Sequence, residues 1–383
     1  MNTMERVIKA AIDRGASDLH VKAGDVFRAR IDGELRPLTK QRLTPEQTKA
    51  IALELITHPA VRERIDTITD YDCSWGAPGI GRFRVNLLRQ RSSFMIVLRA
   101  IPFDVPTFER LELPERVRTV AEAPSGLVLV TGPTGSGKSS TVAAFVHAIN
   151  AGSHQHVVTI ESPIEFLHRD LNCSVTQREV GVDTDAFAVG LRATLRQDPD
   201  VIVSAELPDA ETADAALMAA ETGRLVIAIM HTPDVTSTVA RFVALFPGEE
   251  REVTRARLAD QVQAIVSQRL LPRRKGEGRQ AVVELMLATD ETRAVLAERG
   301  RAGAMYRAIA EGREGHGMQT LDQHLVDLVL AKTISLEHAR AASEASEEFD
   351  RLHAVATGTM DKGASRRKGP SDRRRGRKDR RKR

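Results

Sequence analysis

The stretch GLVLVTGPTGSGKSSTVAA, residues 126–144, constrains this chain more than any other. An apolar run suited to a buried strand leads into Gly132–Ser139, which fits G-x-x-x-x-G-K-[ST], and then into a stretch suited to a helix. Glycines at those places let backbone N–H groups turn inward around phosphates, and the helix that follows adds the positive end of its dipole. The chain is therefore expected to hold a nucleoside triphosphate on Gly132, Pro133, Thr134, Gly135, Ser136, Gly137, Lys138, Ser139 and Ser140. Lys138 would reach the β- and γ-phosphates, and the Ser139 hydroxyl would hold Mg²⁺. ATP and Mg²⁺ are the expected ligands.

The same pattern of apolar strand, turn and helix recurs after Gly126, which predicts a mostly parallel sheet covered by helices, an α/β fold. VVTI (157–160), VIVSA (201–205) and LVIAIM (225–230) are further strands. Helices are expected near 184–196, 209–221 and 234–245, and residues 253–350 read as purely helical. Residues 1–100 read as a separate α+β domain. It opens with a helix near Met4–Arg14, and Asp32-Gly33 supplies the left-handed backbone of a tight hairpin. A helix near 45–57 and strands at YDCSWG, GRFRVNLL and FMIVLRAI follow. Prolines 102, 106 and 114 mark a linker over 101–115, and the nucleotide-binding domain with its carboxy-terminal helices is expected over 116–350.

Hydrolysis needs carboxylates to organise Mg²⁺ and to activate water. Glu206 ends the VIVSAE strand, where the magnesium partner of a phosphate loop belongs. Glu161 and Glu165, in TIESPIEF, stand at the tip of another strand, where ligands gather in open α/β sheets.

Charge narrows the partners. From Lys362 to Arg383 there are thirteen Lys or Arg against Asp372 and Asp379, a local +11 within a net charge of +4, so the rest of the chain is near −7. That tail lacks apolar periodicity and is expected to be disordered, with attraction to an anionic surface, either membrane lipid headgroups or nucleic acid, as its functional reading. Motors that run on nucleic acid need a basic channel in the body, and an acidic body makes nucleic acid an unexpected partner. The first fifteen residues carry charges throughout and read as an amphipathic helix rather than a signal peptide, and no apolar run approaches the roughly 20 residues of a membrane span. Cys73 and Cys173 lie far apart and outside any CxxC pattern, so neither a disulfide frame nor structural zinc is expected.

GPTGSGKS, TIESPIEF, DPDVIVSAE and MHT occur in that order. With ASDLH (16–20), RFRVN (82–86), TQREVG (176–181) and GMQTLD (317–322), the chain resembles the type IV pilus retraction ATPases, the PilT/PilU branch of the type II/IV secretion ATPase superfamily. The resemblance runs from about Ile8 to Arg340 and leaves out only the basic tail. It implies a PAS-like amino-terminal domain followed by a RecA-like ATPase domain. It also implies a homo-hexameric motor that powers pilus retraction and twitching motility. By position, it makes Glu165 the water activator, Glu206 the Walker B glutamate and His231 the histidine of the His box, with Lys138 completing the catalytic set. Arginines of the amino-terminal domain would join the nucleotide site, for which Arg82, Arg84 and Arg99 are the candidates. The implied partner is an inner-membrane pilus platform protein, with paralogous retraction ATPase subunits as possible companions. The implied place is the cytoplasm, peripheral to the inner membrane at the pilus base.

Several positions depart from the branch. Ser162 replaces the aspartate of TIEDPIE, Leu207-Pro208 stands within the altered GE-x-RD, Arg224 replaces the first His-box histidine, and Pro233-Asp234 follows His231-Thr232. ETRAVLAE at 291–298 replaces AIRNLIRE. The motor reading therefore has an alternative: an accessory paralogue that binds ATP, joins active subunits and hydrolyses weakly.

Overall fold

The computed structural model of the protein describes residues 3–31, 33–101, 104–276, 278–298 and 303–359. Asp32 of the expected hairpin, Pro102 of the expected linker and the basic tail lie outside these residues.

The amino-terminal part is a six-stranded antiparallel sheet. Its strands are β1 (Asp18–Lys22), β2 (Arg28–Ile31), β3 (Glu34–Pro37), β4 (Asp70–Ala77), β5 (Gly81–Gln90) and β6 (Ser93–Ile101), in the order β3-β2-β1-β6-β5-β4. Helices α1 (Thr3–Ile12) and α2 (Pro45–Leu55) bury Ile8, Ala11, Ala52 and Leu55 in a core shared with Leu19, Val85, Leu87 and Ile96 of the sheet. Thr44 starts α2 with a capping box, reciprocal bonds with Gln47 that satisfy two otherwise free amides. Trp75 packs against Phe83 with ring centroids 5.7 Å apart in the same core.

Short helices α3 (Pro59–Glu63), α4 (Phe108–Leu111) and α5 (Glu115–Thr119) precede the second sheet. That sheet comprises β7 (Gly126–Thr131), β8 (His156–Glu161), β9 (Ser174–Glu179), β10 (Val201–Ser204), β11 (Leu225–Met230), β12 (Val262–Pro272) and β13 (Arg279–Leu287), ordered β13-β12-β7-β11-β10-β8-β9. All neighbours are parallel except β12 with β13. Central strands have both faces covered, so alternate residues of β7 feed two cores. Leu127 and Leu129 enter one; Val128 and Val130 enter the other with Phe145 and Val146 of α6 (Lys138–Gly152). The helices α7 (Phe187–Thr194), α8 (Ala210–Glu221), α9 (Val235–Ala244) and α10 (Arg251–Gln261) then follow, with α11 (Asp290–Ala297), α12 (Ala304–His316), α13 (Leu321–Leu330), α14 (Leu336–Ala342) and α15 (Ser346–Ala356) after β13.

Residues 253–350 are therefore not purely helical. β12 is buried along most of its length and β13 throughout its middle, which hides the period of two that marks a half-exposed strand. Pairing with β7, whose Thr131 stands opposite Ser267, makes β12 a strand. β9 is a further strand beyond those expected, an edge whose SVTQRE carries little apolar signal.

GMQTLD ties the carboxy-terminal helices to β13. Gln319 and Leu285 exchange backbone bonds, the Gln319 amide donates to Val283 O at 2.8 Å, and Thr320 caps α13. In ETRAVLAE, Arg293 donates to the carbonyls of Ala259 and Asp260 at the end of α10, where a cation suits the helix dipole.

Candidate functional site

β7, β11, β10 and β8 are adjacent, parallel and in register, so the residues after their carboxyl ends converge. Together they line a cleft of about 540 Å³ with Thr134, Gly135, Gly137, Lys138, Ser139 and Ser140 after β7, Glu161, Ser162 and Glu165 after β8, Glu206 after β10 and His231 after β11. Sequence positions separated by nearly one hundred residues thus meet at one mouth.

Bonds within the chain fix the shape of the loop. Lys138 Nζ donates to Gly132 O at 2.8 Å and Pro133 O at 2.9 Å. Burial pulls its ammonium below the usual lysine range, against the negative fields of Glu165 and Glu206. Gln268 of β12 braces the loop from beneath: its Nε2 donates to Ser136 O at 2.6 Å, and its Oε1 accepts from Thr141 Oγ1 at 2.8 Å. Ser136 Oγ is buried and has no hydrogen-bond partner among the described residues, the kind of orphan donor a phosphate oxygen satisfies. Gly132 sits at φ +144°, and a methyl group there would stand 2.3 Å from the Gln268 carbonyl oxygen and 2.5 Å from Ser136 Oγ.

Glu161 is the anchored carboxylate of its pair. Its Oε1 accepts from Thr159 Oγ1 at 2.6 Å and Gln177 Nε2 at 2.9 Å, and its Oε2 from the Glu165 amide at 3.4 Å. Burial lifts it above the usual carboxylate range despite these bonds, and the Glu165 charge adds to the rise. Glu165 is free of that web at its side chain and faces the cleft. Glu206 Oε1 lies 3.4 Å from His231 Nε2. His168, also on the cleft wall, is pushed down to about 4 by burial, with the nearby His147 adding to it, and is neutral at pH 7.

Behind the cleft, a buried chain of hydroxyls joins the His-box segment to the phosphate loop. Thr232 Oγ1 and Thr238 Oγ1 are 2.6 Å apart, Thr238 Oγ1 donates to Thr131 Oγ1 at 3.3 Å, and Thr131 bonds Ser267.

Three of the departures, Pro208, Arg224 and Pro233, lie outside the lining of the cleft. Arg224 precedes β11 at the end opposite His231, about 20 Å away along the strand, and its Nη1 donates to Thr222 O. Pro208 and Pro233 each precede a helix cap, where no amide donor is required: Asp209 accepts from Thr212 N and Asp234 from Ser237 N. Ser162 lines the cleft itself.

Arg82, Arg84 and Arg99 are not brought to the cleft. Arg82 Nη2 bonds Glu179 at 2.8 Å, Arg99 Nε bonds Asp18 at 2.8 Å, and Arg84 lies opposite Arg99 in the sheet. The resemblance pointed to their strands but carried no sign of the acids, 97 and 81 residues away, that pair with Arg82 and Arg99. Conversely, Arg279 at the start of β13 lines the cleft and points Nη1 at Gly135 O, 3.5 Å away. Reading that segment as helix left Arg279 and Gln268 without a role.

A family model described as type II/IV secretion system protein matches residues 1–353. The chain belongs to this family. It is 41% identical over 336 residues to the type IV pilus retraction ATPase PilT of Pseudomonas aeruginosa, covering 88% of this chain and 96% of that protein. It is 38% identical over 347 residues to the type IV pilus ATPase PilU of the same organism, covering 90% of each. A crystal structure of the pilus retraction motor PilT with bound ADP superposes with a TM-score of 0.82 at 39% identity, covering 92% of this chain and all of that one. The PilT/PilU branch read from the motifs is the branch of these relatives, and the chain is an ATPase of the secretion superfamily.

In this family context the loop geometry yields a direct test. Gly132→Ala forces the backbone out of a conformation that costs about 1–3 kcal/mol for other residues and collides with Gln268 O. ADP affinity, read by calorimetric titration, is expected to fall about tenfold or more.

Proposed function

We propose that this chain is a ring-forming motor, six copies hydrolysing Mg-ATP to retract a type IV pilus by acting on a platform protein at the cytoplasmic face of the inner membrane. The observation that carries the reading is the convergence of the phosphate loop, Glu165, Glu206 and His231 on one cleft. The similarity to PilT and PilU supports the pilus assignment.

ATP would lay its phosphates on the loop amides between Gly132 and Ser139, with Ser136 Oγ gaining the partner it lacks. Lys138 would exchange its two carbonyl acceptors for phosphate oxygens, a move within reach of its own loop. Mg²⁺, when bound, neutralises phosphate charge, and the Ser139 hydroxyl and the Glu206 carboxylate would hold it. Glu165 takes the proton of the attacking water; Glu161 fixes the Glu165 backbone through its amide. His231 orients Glu206 across 3.4 Å.

The test is steady-state ATP turnover with Mg²⁺ and the mass of the assembly in the same sample. A six-subunit ring with turnover well above that of Glu165→Gln is the expected result. A nucleotide-binding ring that turns over no faster than Glu165→Gln would instead make the chain an accessory subunit.

A further inference from the structure

TQREVG, residues 176–181, belongs to no phosphate-binding or carboxylate motif, yet the structure places it against the loop that carries Glu165. β9 runs parallel to β8 with Glu179 opposite Glu161. Alternate residues of β9 clasp the 161–168 loop. Gln177 donates to Glu161 Oε1 and Phe166 O, both at 2.9 Å, and accepts from His168 N at 2.9 Å. Glu179 Oε2 accepts from Ile164 N at 3.3 Å, one residue before Glu165.

The same Glu179 oxygen also accepts from Ser74 Oγ at 2.7 Å and Arg82 Nη2 at 2.8 Å, both in the six-stranded sheet. Glu179 is 2% exposed. A carboxylate that enclosed needs its donors, and losing two of three would force it and its surroundings to rearrange. Among the described residues, one of these donors, the Ile164 amide, belongs to the second sheet's own loop. Departure of the first sheet therefore acts on the backbone that sets Glu165. Arg82 is itself only partly satisfied, since its Nε is buried with no partner among the described residues.

We propose that Glu179 is a positioning residue: it carries the placement of the six-stranded sheet into the backbone at Ile164 and so sets where the Glu165 carboxylate stands in the cleft. This deepens the reading of Glu165 as the group that activates water and rests on it. Turnover then depends on whether Ser74 and Arg82 are seated on Glu179, while nucleotide affinity, which belongs to the phosphate loop, does not.

The test compares ATP turnover and ADP affinity of the full chain with those of Glu179→Ala, Ser74→Ala, their double variant, Glu179→Gln and Glu165→Gln. Misplacement of a reacting group by an ångström costs about 10²-fold, so Glu179→Ala is expected to lower kcat by about 10- to 100-fold with the ADP Kd within about threefold of wild type. Ser74→Ala lowers kcat by a smaller factor and adds nothing in the Glu179→Ala background. Glu179→Gln, which keeps an acceptor for Ser74 and Ile164, recovers most of the loss. Wild-type kcat in Glu179→Ala, a loss confined to ADP affinity, or a Ser74→Ala effect undiminished in the double variant overturns the proposal. Should Glu179→Ala fail to fold, unchanged kcat in Ser74→Ala overturns it equally. Glu165→Gln separates the two readings: at wild-type rate it removes both, and at background beside an unaffected Glu179→Ala it removes the coupling alone.

Discussion

Replacing Glu165 with Gln is expected to lower ATP turnover by roughly 10²- to 10⁴-fold while ADP affinity stays close to that of the wild type. Gln has the size of Glu and keeps an acceptor oxygen, so cleft shape and loop anchoring survive; the ability to take a proton does not. Glu165 suits this task because its carboxylate faces the cleft, while its neighbour Glu161 is tied by Thr159 and Gln177 and lifted by burial. Glu165 lines the same cleft as Lys138, whose ammonium feels its negative field, so it stands close to where phosphates would lie. Phosphate release read beside a calorimetric ADP titration decides the matter. Wild-type turnover in the variant would move the role to another carboxylate of the cleft, and a matching loss of ADP affinity would make Glu165 a binding residue instead.

The second large effect concerns stability. Glu284 of β13 is buried and pushed up to about 7 by burial, with Asp234 and Glu344 adding to the rise. The bond it accepts from Val235 N, at 2.9 Å, and Arg269 pull the other way. The folded state thus holds a proton that the unfolded chain releases near pH 4.5. This contribution is fully present below the unfolded value and disappears as pH rises through about 7, after which it stays lost. Glu284→Gln keeps the acceptor for Val235 and carries no charge. It should melt like the wild type at pH 4 and be more stable at pH 8, by up to about 3 kcal/mol. Chemical denaturation at both pH values measures the gap. Equal stability at pH 8, or a wild type that gains stability relative to the variant between pH 5 and 8, contradicts the assignment. The proton is well placed to matter: Glu284 holds the start of α9, which follows His231, and feels the charges of Arg269 and Glu344, which pair with each other.

Much of the site was legible because its signals are local. Gly132–Ser139 states its own backbone geometry, and Glu161, Glu165, Glu206 and His231 each follow an apolar run whose end is easily found. What stayed hidden is held by contacts between distant segments. Gln268 looks like one polar residue in a mixed stretch until β12 pairs with β7 and places it under Ser136, 132 residues away. Arg279 was masked by the same misreading of β12 and β13. Arg82, Arg84 and Arg99 carried the right charge for phosphate, but spacing along a strand does not say which acid faces each one, and Glu179 and Asp18 claim two of them. Glu179 itself gave no signal, because its importance lies in joining three segments.

Trp75, paired with Phe83 in the first core, is the only tryptophan in the chain and the neighbour of Ser74. The protein therefore carries a single indole fluorophore beside the tyrosines Tyr71 and Tyr306, and all tryptophan emission originates in the six-stranded sheet. Excited selectively, it reports that sheet's packing with no contribution from the nucleotide-binding half. Unlabelled rings can thus be followed optically through a turnover cycle, with the light coming from one side of the Glu179 contact only.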